Sequence, residues 1–186
     1  MPKIIANIRE KLLEEAKKQV MEQGYASMTI RSVAGACGVG VGTVYNYFAS
    51  KDMLVASFML EDWNLCLDTI NSGSKKLQAG SGNGDTAAAG EKLLCIIHEQ
   101  LMLFWKKYEP LFLDKNAGIS FASSFPMRHQ QLRSQIAQPL EAFCQVKSDG
   151  SVSAAFLAEF IAESLLTWTM AGYSFEQIAG VLRKLF

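Results

Sequence analysis

The chain has 186 residues, 49% of them hydrophobic and 19% charged, enough to bury a substantial core and too apolar for a disordered segment. Eighteen Lys and Arg offset eighteen Asp and Glu. That balance excludes nucleic-acid binding by bulk charge and leaves only local placement. Four prolines and long stretches containing Ala, Leu, Glu and Lys favour an all-α fold, with about nine helices expected. Over residues 1–52 seven basic side chains stand against five acidic ones, a small surplus at the amino-terminal end. Cys37, Cys66, Cys95 and Cys144 lie far apart with no CxxC pair, so neither a disulfide framework nor a metal site is expected, and no cofactor. No secretory leader or membrane-length apolar run is read, and the expectation is a cytoplasmic protein with no membrane contact.

Ile4, Ile5, Ile8, Leu12, Leu13, Ala16 and Val20 recur at three- and four-residue steps, with Arg9, Glu10, Glu14, Lys17 and Lys18 between them. This spacing predicts an amphipathic first helix ending near Gly24. Thr29 then stands as N-cap of a short helix carrying Ile30, Val33, Ala34 and Cys37, which stops at Gly38. A third begins about Val41 with Val44 and Phe48 inward, and Ser50, Lys51 and Asp52 open a fourth reaching about Asn71. The run from Ser72 to Asp85, SGSKKLQAGSGNGD, reads as a flexible connector in which nothing packs. Beyond it, helices fit about Thr86 to Tyr108, a shorter one from Glu109, then 126–146, 152–171 and 174–185. Ser151, Ser153 and Ser174 are candidate caps, and Gly118, Gly150 and Gly172 candidate breaks.

Val33, Ala34, Cys37, Gly38, Val39, Val44 and Tyr47 have helix-turn-helix spacing: Ala34 is small where two helices cross, and Gly38 supplies the positive φ of the turn. A recognition helix from about Val41 presents its first turn to a major groove while flanking groups hold phosphates. Thr29, the amides opening the second helix, Lys51, Tyr45 and Tyr47 suit the DNA backbone. Thr43 reaches a phosphate or a base, and Arg31, the one guanidinium of this segment, suits the forked acceptors of guanine. The alternative for Tyr45 and Tyr47 is a place in a helical core, where Phe48 is assigned. Gly38, Gly40 and Gly42 do not form a nucleotide loop, because no Gly-Lys-Ser/Thr follows.

The ordered run Thr29-Ile30, Val33-Ala34, Gly38-Val39, Gly42-Thr43-Val44-Tyr45-Asn46-Tyr47-Phe48, Ser50-Lys51 and Leu54 closely resembles the N-terminal domain of TetR-family transcriptional regulators, over about residues 8 to 60. The resemblance implies a helix-turn-helix DNA-binding domain at 1–50 and a larger helical ligand-binding and dimerisation domain at 51–186. It further implies a homodimer on a palindromic operator in double-stranded DNA, a repressor by the family's usual behaviour, with no enzymatic activity. This chain departs from the family in having Gly40 and Val41 where a polar or charged residue is common. Val41 is left to meet a thymine methyl, Gly40 and Gly42 admit close backbone approach, and readout leans on Arg31, Asn46 and DNA shape.

The helix near 152–171 is apolar around most of its circumference, so part of it is expected to meet a second copy, with the last helix. Phe156, Phe160, Ile161, Leu165, Trp168, Ile178 and Leu182 are the expected interface; burial inside one chain is the alternative. Trp63, Cys66, His98, Met102, Trp105, Tyr108, Phe112, Phe121 and Phe125 form an aromatic-rich set suited to a small apolar or aromatic effector. A helical carrier that never touches DNA is the rival reading, and an enzyme finds little support in two histidines without a nucleophile-base spacing.

Overall fold

The computed structural model describes residues 7–80, 86–114, 125–144 and 152–185. Among them the chain is all-α, with eight helices: α1 Ile8–Gln23, α2 Ile30–Ala36, α3 Val41–Tyr47, α4 Lys51–Gly80, α5 Thr86–Leu113, α6 Phe125–Cys144, α7 Ala154–Met170 and α8 Phe175–Leu185. The expected breaks at Gly118 and Gly150, the Ser151 cap, residues 81–85 and Phe121 lie outside the described residues, as does the side chain of Phe125. The described residues form two compact units. The first holds α1 to α3, α4 as far as Trp63 and α5 from Tyr108; the second holds the rest of α4 and α5 with α6, α7 and α8.

In the first unit α1 buries Ile8, Leu12, Leu13, Ala16 and Val20 on one face, as its spacing predicts. It ends at Gly24, whose φ of 82° only glycine adopts without strain. Thr29 and Ser32 cap α2 reciprocally: Ser32 N donates to Thr29 Oγ1 at 3.0 Å and Thr29 N to Ser32 Oγ at 3.1 Å. Ser32 Oγ also donates to Gln19 Oε1 at 2.6 Å, which ties the start of α2 to α1. The helix-turn-helix is closed by Gly38 at φ 68° and by Val39 N donating to Ala34 O at 2.9 Å. Ala34, Val44 and Phe48 are buried, Leu54, Val55 and Phe58 of α4 complete the core, and Tyr108 stacks on Phe58 with ring centres 6.2 Å apart. Asp62 joins three helices, accepting from Lys17 Nζ of α1 and from the Tyr108 hydroxyl of α5, each at 2.6 Å.

Two expectations are corrected. The connector does not begin at Ser72, because α4 continues to Gly80. Ser74 is buried and donates to Pro139 O of α6 at 3.2 Å, and Gly73 lies so close to α5 that a Cβ there would come within 2.9 Å of Ile96 Cδ1. Small residues that read as a linker serve close helix packing in the second unit. Likewise α5 does not stop at Tyr108; it runs through Pro110 to Leu113, held by buried Tyr108 and Leu111 on either side of the proline. Ser153 caps α7 through Phe156 N at 3.2 Å, and Gly172, at φ 84°, ends it.

Candidate nucleic-acid interface

Helix α3 has a single buried residue, Val44. The remainder of its seven residues turn outward: Tyr45 is 53% exposed, Tyr47 48% and Val41 36%, with Asn46 and Gly42 exposed and Thr43 half-buried. A core helix would bury a stripe; this one is fastened by one side chain and the Gly38 turn, and presents its surface. The tyrosines lie outside the core, while Phe48 is buried beneath the guanidinium of Arg9, 5.8 Å from its ring centre.

A Cβ added at Gly40 or Gly42 would meet nothing within 4 Å, so internal packing requires glycine at neither position. Arg31 is exposed on α2, and among the described residues no ion pair holds it. Thr29 is exposed, but its Oγ1 accepts from Ser32 N, and its own amide donates to Ser32 Oγ. Two of the amides that the sequence leaves for a phosphate, those of Thr29 and Ser32, are therefore satisfied inside the capping box, which corrects that part of the expectation. Lys51 opens α4 half-buried, its Nζ donating to Tyr25 O and lying 4.1 Å from the centre of the Tyr25 ring. Burial pushes its amine below the ordinary lysine value, against the raising charges of Asp52 and Asp114.

The expected effector residues divide between the units. Trp63, Tyr108 and Phe112 belong to the first, where Trp63 and Tyr108 are buried and the Tyr108 hydroxyl is bound to Asp62. Cys66, His98, Met102 and Trp105 belong to the second. There His98 is buried, its Nδ1 lies 2.9 Å from Thr169 Oγ1 of α7, and its ring centre lies 5.8 Å from that of Phe175 on α8. Burial holds the imidazole below its ordinary value, outweighing Glu176 and Glu99. Cys66 Sγ faces the Gln100 carbonyl at 4.0 Å, and Cys95 Sγ faces Glu99 at 3.6 Å, so the cysteine and histidine of α5 turn to separate partners. Among the described residues no three His, Cys, Asp or Glu side chains converge as metal ligands would, and no helix is long and apolar enough to cross a membrane.

Of the expected interface, Phe156 is 64% exposed, Phe160 44% and Trp168 half-buried. Ile161, Leu165, Ile178 and Leu182 are covered within the chain, where they pack α7 and α8 into the second unit. Their part of the expected dimer surface is thus already occupied, and Phe156 and Phe160, one turn apart, form the exposed remainder.

The sequence spacing missed Tyr25, Ser32, Gln19 and Asp62. An aromatic residue directly after the helix-ending Gly24 and a Thr-x-x-Ser start were the available signals for the first two. Gln19 and Asp62 carried none, because their partners lie on other helices.

A helix-turn-helix with an outward second helix defines the class of this unit. Residues 12–58 match the family model described as bacterial regulatory proteins, tetR family, the segment over which the motif run shows its resemblance. The chain is 26% identical over 81 residues, 44% of its length, to an HTH-type transcriptional regulator of Mycobacterium tuberculosis, and the match spans only about a third of that relative (35%). It is 30% identical over 54 residues, 29% of this chain and 28% of the relative, to the HTH-type transcriptional regulator UidR of Escherichia coli. The fold as a whole is similar to that of Thermus thermophilus FadR, a TetR-family transcriptional repressor solved in complex with lauroyl-CoA. The TM-score is 0.60 at 20% identity, covering 94% of this chain and 91% of that one.

Proposed function

We propose that the chain is a transcriptional regulator that inserts α3 into the major groove of double-stranded DNA. It binds a palindromic operator as a homodimer and releases it when a small apolar or aromatic molecule occupies the second unit. The observation that carries the DNA reading is α3 itself, anchored by Val44 alone and otherwise displayed. Val41, Gly42 and Asn46 face base edges, Arg31 reads guanine, and Thr29, Thr43, Tyr45, Tyr47 and Lys51 hold the sugar-phosphate edge. The open space over Gly40 and Gly42 supports close approach of the backbone to DNA.

A homodimer on such an operator presents one α3 to each half-site, roughly 34 Å apart on one duplex face, and the exposed Phe156 and Phe160 are its proposed subunit contact. The effector reading rests on His98, Met102, Trp105 and Cys66, all of which belong to the second unit. Thermus thermophilus FadR, of similar fold, is solved in complex with lauroyl-CoA, a molecule with a long apolar acyl chain. Because α4 begins at Lys51 and continues into the second unit, a ligand that favours one placement of this helix changes the spacing of the reading heads. Coupling of about 1 to 3 kcal/mol changes operator affinity roughly 5- to 150-fold. Repression as the sign of regulation follows the family's usual behaviour.

Selection of bound duplexes from a random pool by the purified protein tests the reading, with a palindrome of two half-sites as the expected product. Recovery of unrelated sequences, or affinity that does not fall with salt, overturns it.

A further inference from the structure

The turn between α1 and α2 holds a cluster that the contacts assigned above leave unexplained. Tyr25 is buried directly after Gly24, and its carbonyl oxygen accepts from Lys51 Nζ. The same ammonium sits over the tyrosine ring, 4.1 Å from its centre. On its far end the tyrosine hydroxyl donates to Asp52 Oδ1. Lys51 and Asp52 are chain neighbours of opposite charge in the first turn of α4, yet among the described residues no ion pair joins them. One tyrosine holds both: the cation by its carbonyl and ring, the anion by its hydroxyl. An ammonium has three donors, and the Tyr25 carbonyl occupies one.

We infer that Tyr25 is a positioning residue for DNA binding: it fixes the Lys51 ammonium at the phosphate-facing end of α4 and holds the Asp52 carboxylate in a hydrogen bond of its own, out of direct pairing with that ammonium. The inference rests on the DNA-binding reading above. Its chemical content is a competition, since a phosphate and a neighbouring carboxylate seek the same donors. Removing the hydroxyl frees Asp52 and leaves Lys51 as its adjacent cation.

The test compares the unaltered full chain with Tyr25→Phe, Asp52→Asn and the double variant on a mixed-sequence duplex of about two helical turns, titrated over a salt series. Tyr25→Phe is expected to make the slope of log affinity against log salt shallower by about one per protomer. Adding Asp52→Asn is expected to restore the slope, because no carboxylate then remains to compete. A merely structural role for the hydroxyl would lower the thermal midpoint of Tyr25→Phe without rescue by Asp52→Asn, and that pattern overturns the inference. So does an unchanged slope in Tyr25→Phe. Should Tyr25→Phe fail to fold, Asp52→Asn alone decides: a slope at least as steep as the unaltered protein's upholds the competition, and a shallower one overturns it. Absence of any salt-dependent binding by the unaltered chain overturns the DNA reading, and this inference with it.

Discussion

A methyl group added at Gly42 meets open space inside a regular helix, so the fold has no use for the missing side chain. Gly42→Ala is therefore expected to stabilise the protein by about 0.5 to 1 kcal/mol, read from denaturant midpoints, because glycine spends more backbone entropy in a helix than alanine. The same change is expected to weaken duplex binding, since the methyl stands where DNA would approach. Equal or tighter binding by the alanine variant would remove Gly42 from the interface. Arg31 and Lys51 separate by a different measurement. Arg31→Ala is expected to relax discrimination at one base position by about 1 to 3 kcal/mol, and Lys51→Ala to weaken all duplexes alike and flatten the salt slope. Indistinguishable profiles across a library of sites would withdraw Arg31 as a base reader. At this scale the outward face of α3 was legible, because apolar spacing left only Val44 and Phe48 for the core. The Tyr25 cluster was not, because the aromatic after Gly24 is visible in sequence but its partner, 26 positions away and held through a backbone carbonyl and the ring face, is not.

Among the elements, α1 to α3 match their expected limits within a residue or two over the described residues, since caps and helix-ending glycines are local chemistry. The second half of α4 does not. Composition over Ser72–Gly80 argues for a connector, but Ile70 and Ser74 are buried and Gly73 is pressed against Ile96, contacts made by residues distant in sequence. Tertiary packing there overrides weak helix propensity, just as it carries α5 through Pro110. Gly73→Val is accordingly expected to destabilise the protein by about 0.5 to 1.5 kcal/mol, because the Ile96 side chain must leave its rotamer to admit the branched side chain. Hydrogen exchange is expected to find the amides of 72–78 protected. Rapid exchange there, together with a neutral Gly73→Val, is the behaviour of a linker and would contradict the packing.

For the molecule as a whole, stability and the proposed homodimer draw on separate parts of the second unit. Neutral His98 bridges α5 to α7 and α8, and burial holds its pKa below the ordinary 6.5. As pH falls below about 6.5 the unfolded chain takes up this proton before the folded one, so the stability present above that value is lost as pH drops through the lowered folded pKa. His98→Asn is expected to flatten this part of the stability–pH curve, measured by denaturant unfolding at a series of pH values. The proposed homodimer draws instead on the opposite side of α7. Ile161 and Leu165 already face the core of their own chain, whereas Phe156 and Phe160 remain 64% and 44% exposed. On a twofold axis each residue counts twice, and burying a phenylalanine contributes roughly 1.5 to 3 kcal/mol. Replacing both by glutamate removes that burial and brings like charges together across the axis, while the inward residues keep the helix folded. Sedimentation is expected to record monomers with unchanged helical content. Binding to a two-half-site duplex is then expected to fall toward the affinity of a single half-site, since the second contact is no longer intramolecular. A dimer that survives both replacements would place the subunit contact away from this face of α7.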